Sequence, residues 1–390
     1  MQATIYKLIK KIVKKIVFKS FAIIYYFYPV KNNKIVVSNY AGKGYGDSGK
    51  YIVEEIRKRN LLVDVVWIVD KNESDKIELP NFIRKVNYGS LKHIYEMSTA
   101  KINIDNCRKY IDFNKKSEQV YINTMHSMLP LKKVERDAEN NLSKSYIKWA
   151  KRDSKKIDYM VSSSKFKTKL IKKSYWYDGK VLNIGLPRND VLYKDTNSIK
   201  ITVAKNLNIS EDKKILLYAP TFRNDTNLGT YNLDYNMLLD TLRKKYDTSW
   251  TILIRLHHNI SSKNEELKTS DNIIDVTNYE DMQELLIYAD ILITDYSSCM
   301  FDFSLMKKPV FLFAPDIKEY TQERGFYMNL NELPYPIAQT NMQLKNMIND
   351  FKSYKYKNDL IIFNKKVGLY KGGYSSKKIV DLIEKTMGGN

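Results

Sequence analysis

Apolar residues follow two rhythms along this chain. Over residues 1–30, Ile5, Leu8, Ile9, Ile12 and Ile16 recur at helical spacing, while Lys7, Lys10, Lys11, Lys14 and Lys15 take the opposite face. No acid appears before Asp47. The spacing predicts a basic amphipathic helix of the kind that lies on an anionic membrane surface. The apolar stretch Phe21 to Tyr28 ends at Pro29 and is too short to span a hydrocarbon layer of about 30 Å, so it reads as interfacial.

From Lys34 onward, short aliphatic runs alternate with amphipathic stretches. Lys34 to Tyr40, Val63 to Val69, Lys101 to Asp105, Val120 to Thr124, Tyr159 to Ser162 and Val181 to Ile184 read as strands. Tyr51 to Arg59 and Leu91 to Met97 read as helices between them. The rhythm restarts at Ile215 to Tyr218 and continues through Thr251 to Leu256, Ile273 to Val276, Ile291 to Ile293 and Val310 to Phe313. Repeated β–α alternation predicts an α/β fold of two doubly wound domains. Residues 31–190 form the first and 191–390 the second, joined near Pro187 to Lys205; the last helix, Ser375 to Met387, is expected to return onto the first.

With 390 residues and 43% hydrophobic content, the chain can bury two ordinary cores. Sixty-five Lys and Arg against 44 Asp and Glu give a net charge of +21, which implies an anionic partner: nucleic acid, acidic lipid or a phosphate-rich polymer. The 30 tyrosines would suit single-stranded nucleic acid. They are scattered, however, and no RNA-binding, helix-turn-helix or zinc-finger pattern accompanies them, so nucleic acid is not the expected partner. Cys107 and Cys299 stand alone, excluding a disulfide framework or a CxxC site and fitting a reducing cytosol.

The most informative segment is an apolar run, Ile291-Leu292-Ile293, that enters the polar elbow Thr294-Asp295-Tyr296-Ser297-Ser298. Ser297 or Ser298 is placed to cap a helix continued by Met300, Phe301, Phe303, Leu305 and Met306, which would aim free N–H groups at a phosphate. Gly44-Tyr45-Gly46-Asp47-Ser48-Gly49-Lys50 nearly satisfies two nucleotide patterns, GxGxxG and a Walker A loop, but Tyr51 replaces the hydroxyl that would hold Mg²⁺. A flexible loop near the acceptor is the preferred reading. Arg255 and His257 alternate on a strand and project to one face, suiting a shared phosphate. His258 faces the other way, which disfavours a shared metal and leaves it a structural role.

Read in order, His126 with Lys132-Lys133, Gly185-Leu186-Pro187-Arg188-Asn189-Asp190, Tyr218-Ala219-Pro220-Thr221-Phe222-Arg223, Arg255-Leu256-His257 and the elbow through Asp302, Lys308-Pro309, Tyr320 and Arg324-Gly325-Phe326 resemble the CDP-glycerol glycerophosphotransferases, over roughly residues 120–375. Two departures stand out. The family's second-half histidine is usually followed by proline, here His258, and its first-half histidine usually lies in Trp-His-Gly, here Met125-His126-Ser127.

The resemblance implies a GT-B architecture, two Rossmann-like domains facing a central cleft. It implies transfer of glycerol phosphate, or a related polyol phosphate, from CDP-glycerol or a related CDP-polyol to a hydroxyl of a lipid-linked or polymeric acceptor. CMP would be released, in teichoic acid or capsular polymer synthesis at the cytoplasmic face of the membrane. On this reading His126 is the general base and His257 its catalytic companion. Arg255, His257, Ser297 and Ser298 clamp the pyrophosphate, Arg223 and Arg324 add phosphate contacts, and Asp295 and Asp302 orient the donor. Lys132 and Lys133 receive the acceptor's phosphate, and neither metal nor cofactor is expected. The rival reading is a GT-B glycosyltransferase using a nucleotide sugar, and a third is a non-catalytic basic protein of the membrane surface.

Overall fold

The computed structural model describes residues 2–109, 111, 113–221, 232–256 and 270–388. Thirteen strands form two sheets in which every pairing is parallel. The first sheet contains β1 (Lys31–Ser38), β2 (Asp64–Val69), β3 (Ile83–Asn87), β4 (Ala100–Asp105), β5 (Val120–Asn123), β6 (Tyr159–Ser162) and β7 (Lys180–Asn183), in the order β3-β2-β1-β4-β5-β6-β7. The second contains β8 (Lys214–Tyr218), β9 (Trp250–Ile254), β10 (Ile273–Asp275), β11 (Ile291–Thr294), β12 (Val310–Phe313) and β13 (Ile337–Ala338), in the order β10-β9-β8-β11-β12-β13. Each sheet therefore reverses direction once, at β1/β4 and at β8/β11. Such switch points open a crevice beyond the carboxyl ends of the strands.

Thirteen helices are described: α1 (Gln2–Tyr26), α2 (Asp47–Lys58), α3 (Leu91–Thr99), α4 (Lys144–Ser154), α5 (Lys165–Ser174), α6 (Asn197–Leu207), α7 (Tyr235–Tyr246), α8 (Met282–Tyr288), α9 (Cys299–Ser304), α10 (Ile317–Arg324), α11 (Asn341–Asp350), α12 (Ser353–Val367) and α13 (Ser375–Gly388). The central strands are buried on both faces, as parallel sheets covered by helices require. One apolar cluster is continuous from Ile35, Ile104 and Val161 of the first sheet, through Met128 and Leu186, to Leu217, Leu253 and Leu312 of the second. The two halves thus share a core.

Two strands lie outside the pattern that the sequence announces. In β3 only Ile83 and Val86 are buried, while Arg84 forks onto Asp64 at 2.7 Å and reaches Glu96 at 2.9 Å. Strand β13 is two residues long. Both are edge strands, half wet and weakly patterned.

Helix α1 is a single helix that includes most of the expected interfacial stretch. Phe21, Ala22 and Tyr25 turn inward, and Tyr25 packs edge-on against Tyr95 of α3 at 5.3 Å. Ile9, Ile12, Val13, Ile16, Ile23 and Ile24 remain exposed. Among the described residues, no helix is long and apolar enough to cross a membrane. At the other end of the chain, α13 lies against α2, where Arg59 bonds Asp381 at 2.8 Å and Glu384 at 2.5 Å.

Candidate functional site

Strand ends at the two switch points supply the crevice. Tyr40 follows β1, Asn106 follows β4 and His126 follows β5; across from them Thr221 follows β8, Arg255 follows β9 and Asp295 follows β11. The turns are tight. Tyr40, Asp47 and Met125 all hold left-handed backbone, with φ of 42°, 51° and 52°. Each such residue costs on the order of 1 kcal/mol or more, and clustering of this strain is characteristic of functional sites.

His126 is exposed to the crevice, its ring 5.7 Å from that of Tyr40. Its Nδ1 lies 3.4 Å from the carbonyl oxygen of Asn106. A carbonyl only accepts, so this contact selects the tautomer with hydrogen on Nδ1 and leaves the Nε2 lone pair toward the crevice. Surrounding protein lowers the imidazole pKa below its usual value; Asp47 opposes that shift and Arg188 reinforces it. The neutral, proton-accepting form is thereby favoured.

Behind His126 lies a buried charge cluster. Arg188 bonds Asp47 at 2.7 Å with Nη1 and Asp302 at 2.6 Å with Nη2, and also donates to the His126 carbonyl. Asn189 holds the second oxygen of Asp302 at 2.6 Å, and Tyr40 donates to Asp47 at 2.9 Å. Asp190 accepts from the backbone of Ser375 at 2.9 Å and Ser376 at 2.6 Å, fixing the start of α13. The segment Pro187 to Asp190 is therefore a hub joining β5, α2, α9 and α13. Beside it, Lys167 is fully buried and donates to Ser127 O at 2.7 Å. Burial and Arg188 depress its pKa to about 7 against the pull of Asp302 and Asp47.

Arg255 gives the other side of the crevice its character. Its backbone N–H is bonded to Tyr218, but Nη1 is cut off from water without a partner among the described residues. Enclosure lowers its pKa, opposed mainly by the charge of Asp281. A guanidinium in this condition is suited to a ligand anion. The neighbouring elbow ends in Ser297 and Ser298, both partly exposed.

Several expected roles are altered by this geometry. Asp295 accepts from Thr221 N at 2.9 Å, from the Thr221 hydroxyl and from Tyr296 N at 2.5 Å, so it fastens the β8 loop to the elbow. Asp302 is enclosed by Arg188 and Asn189 rather than open to a donor. Helix α9 spans six residues, not the longer run expected. Ser298 caps it by position with no side-chain bond, while Ser297 Oγ is 3.5 Å from Cys299 N. Burial pushes the Cys299 thiol up to about 11, which removes it as a nucleophile.

The glycine-rich segment is an interface fastener and not the flexible loop expected. Tyr45 N bonds Glu280 at 2.7 Å, and Lys50 is held by Asp281 at 2.7 Å and Glu284 at 2.8 Å. A lysine so engaged is not positioned to serve a nucleotide phosphate. Lys132 forms an antiparallel bridge with Phe326 and lies 5.1 Å from the Tyr320 ring, while exposed Lys133 bonds Gly325 O through its backbone at 3.0 Å. Arg223, His257 and His258 lie outside the described residues, as does the side chain of Arg324. Tyr40, Asp47, Lys167 and Arg188 are the site residues that sequence reading did not select. Arg188 and Asp47 carried signals, through their places in the Gly185 to Asp190 motif and in the glycine-rich turn.

A family model described as CDP-Glycerol:Poly(glycerophosphate) glycerophosphotransferase matches residues 20–385. The chain is 35% identical over 372 residues to a teichoic acid poly(glycerol phosphate) polymerase of Staphylococcus epidermidis, covering 91% of this chain and 51% of that protein. It is 31% identical over 391 residues to a teichoic acid glycerol-phosphate transferase of Staphylococcus aureus, covering 97% and 99%. It therefore spans about half the length of the first relative and nearly all of the second. A solved structure of the wall teichoic acid polymerase TagF with CDPG matches with a TM-score of 0.85 at 30% identity, covering 100% of this chain and 98% of that one.

Proposed function

The chain belongs to the CDP-glycerol:poly(glycerophosphate) glycerophosphotransferase family, and from that premise we propose that it transfers glycerol phosphate, or a close polyol phosphate, from a CDP-activated donor to a hydroxyl of a membrane-linked acceptor. The observation that carries this reading is Arg255 at the end of β9, enclosed and with a guanidinium nitrogen that no described residue satisfies, in a fold that also sets His126 beside Tyr40 at the end of β5. A proton acceptor and a guanidinium with a donor to spare are what phosphoryl transfer asks of a protein.

On this proposal the first half, residues 31–190, receives the acceptor, and the second, 191–390, the CDP donor. The acceptor oxygen attacks the phosphorus that carries the glycerol, and its proton passes to Nε2 of His126. The anhydride P–O bond breaks and CMP departs with the electron pair. Arg255 and the elbow at Ser297 and Ser298 neutralise charge that spreads over the phosphate oxygens and the leaving group. His257, Arg223 and Arg324 would complete the phosphate contacts, and Lys132 and Lys133 would receive the acceptor's phosphate.

Peripheral attachment to the cytoplasmic face of the membrane belongs to the same proposal. It is supported by the lysines of α1 and by its outward aliphatic residues. A panel of CDP-polyols and nucleotide sugars, assayed for nucleotide release with lipid acceptor present, tests the reading. CMP from CDP-glycerol is expected; release of a nucleoside diphosphate from a nucleotide sugar would replace it with the glycosyltransferase reading.

A further inference from the structure

Beyond β5 the chain makes an irregular passage, His126-Ser127-Met128, before Leu129 enters the core. Such a segment has no ladder to take up its carbonyl groups, so each needs a partner from elsewhere. Three side chains meet these three successive carbonyls. Arg188 donates to His126 O, Lys167 Nζ to Ser127 O at 2.7 Å, and the Ser163 hydroxyl to Met128 O. All three donors are buried. They arrive from separate places: the Pro187 to Asp190 hub, the first turn of α5, and the residue after β6. Ser164, the N-cap of α5, accepts from Lys167 N at 3.0 Å and so fixes the root of the lysine. Further along the passage, Tyr327 of the second half bonds Leu131 O through its backbone N–H at 2.8 Å.

Of the three donors, Lys167 is the least expected. The first turn of a helix disfavours a cation, and burial has brought the pKa of this one down to about 7, so keeping it there costs stability at neutral pH. A hydrocarbon side chain of the same length would fill the space without that cost. It would not supply the N–H that Ser127 O receives, which the amine offers whether charged or neutral. The backbone before His126 points the same way. Met125 holds φ at 52°, a strain that persists only where the surroundings over-determine the chain. Among the described residues the imidazole is steadied by its 3.4 Å contact with Asn106 and by the Tyr40 ring, so its aim depends on the backbone beneath it.

We propose that Lys167 and Ser163 are positioning residues for His126: with Arg188 they hold three consecutive carbonyls in place, so that Nε2 meets the acceptor hydroxyl. The inference rests on the reading of His126 as the base and adds the residues through which the base is aimed. A displacement of about 1 Å at a reacting group can lower a rate by about a hundredfold.

The test follows CMP release from CDP-glycerol with a lipid acceptor that supports turnover. Lys167→Met should lower kcat by about tenfold to a hundredfold and Ser163→Ala by about threefold to tenfold, each changing the KM for CDP-glycerol by less than about twofold. Ser154→Ala deletes another buried hydroxyl-to-carbonyl bond of the first half, to Tyr175 O at 2.8 Å, and should keep kcat within about twofold. The deciding comparison is made in the His126→Ala background. There Lys167→Met should lower the residual rate by less than about twofold, because a residue that acts through the base has nothing left to aim.

A normal kcat in both single variants, or a further loss of about tenfold in the double variant, would overturn the inference and leave the base assignment standing. A raised KM at unchanged kcat would make Lys167 a ligand contact and overturn it as well. So would an equal loss in Ser154→Ala, which would mark general damage. Should urea unfolding show that Lys167→Met does not fold, Ser163→Ala and its combination with His126→Ala carry the same comparison. If His126→Ala turns over normally, the base reading fails and the inference fails with it.

Discussion

Arg188→Met removes the guanidinium that holds both halves of the crevice while keeping a side chain of similar reach. Asp47 and Asp302 are then left with side chains 6% and 2% exposed and no cation bonded to them. Removing one partner of a buried ion pair costs about 3–5 kcal/mol. Two carboxylates are stranded here, but each can take up a proton, so the expected loss stays near about 3–5 kcal/mol instead of doubling. The pH dependence identifies the cause. In the intact protein burial alone would raise the Asp47 pKa, but Arg188, the Ser48 N–H and the Tyr40 hydroxyl more than offset it, and the net shift is downward. That contribution is present above the unfolded value of about 3.9 and is lost as pH falls through the lower folded value. Asp302 is already shifted upward by burial despite Arg188. Without the arginine both groups titrate above their unfolded values, so stability falls as pH rises. Urea unfolding followed by tryptophan fluorescence should therefore show a larger loss at pH 8 than at pH 5. CMP release should fall as well, because the His126 carbonyl and α9 lose their common support. An unchanged midpoint at pH 8, or a loss independent of pH, would refute the argument.

Loss of the proposed base in His126→Ala should lower turnover by about two to four orders of magnitude with little change in CDP-glycerol affinity, and near-normal turnover would remove the assignment. Because the His126 pKa is lowered, the acid limb of kcat/KM should fall below pH 6.5, with activity rising through it as the imidazole becomes neutral. Arg255→Ala should weaken CDP-glycerol and CDP binding while sparing cytidine; equal loss for all three ligands in calorimetry would point to general damage. Lys167 has a folded pKa of about 7, below its unfolded value, so its contribution to stability rises between about pH 7 and pH 10. Lys167→Met should flatten that rise in urea midpoints, and an unchanged slope would show that the group does not titrate there.

The central strands were legible because their aliphatic runs had to be buried on both faces, and the elbow because Thr294 to Ser298 interrupts such a run with polar residues. What escaped was set by long-range partnership. Arg188 meets Asp47 and Asp302 across 141 and 114 positions, a relation no local spacing records. The same blindness assigned Asp295 and Asp302 to the donor, since a carboxylate beside a phosphate site looks alike in sequence whether it faces the ligand or braces the wall. Strands β3 and β13 escaped because an edge strand needs only one or two buried residues. Lys50 shows the converse: its glycine-rich context resembles a phosphate loop, Tyr51 already argued against that reading, and Asp281 and Glu284 claim its charge.

The fastening of Asp190 to the start of α13 shapes how the chain acquires its structure during synthesis. The bond from Ser376 N crosses 186 positions, and the helix it anchors covers α2 of the first sheet. At translation rates of roughly 5–20 residues per second, the first half waits on the order of ten to forty seconds after Asp190 is made before its cover arrives. Throughout that interval the outer face of α2 is bare on the ribosome. A nascent chain arrested after β12 should accordingly bind chaperones and yield to protease within residues 31–190, and release of the final residues should end both.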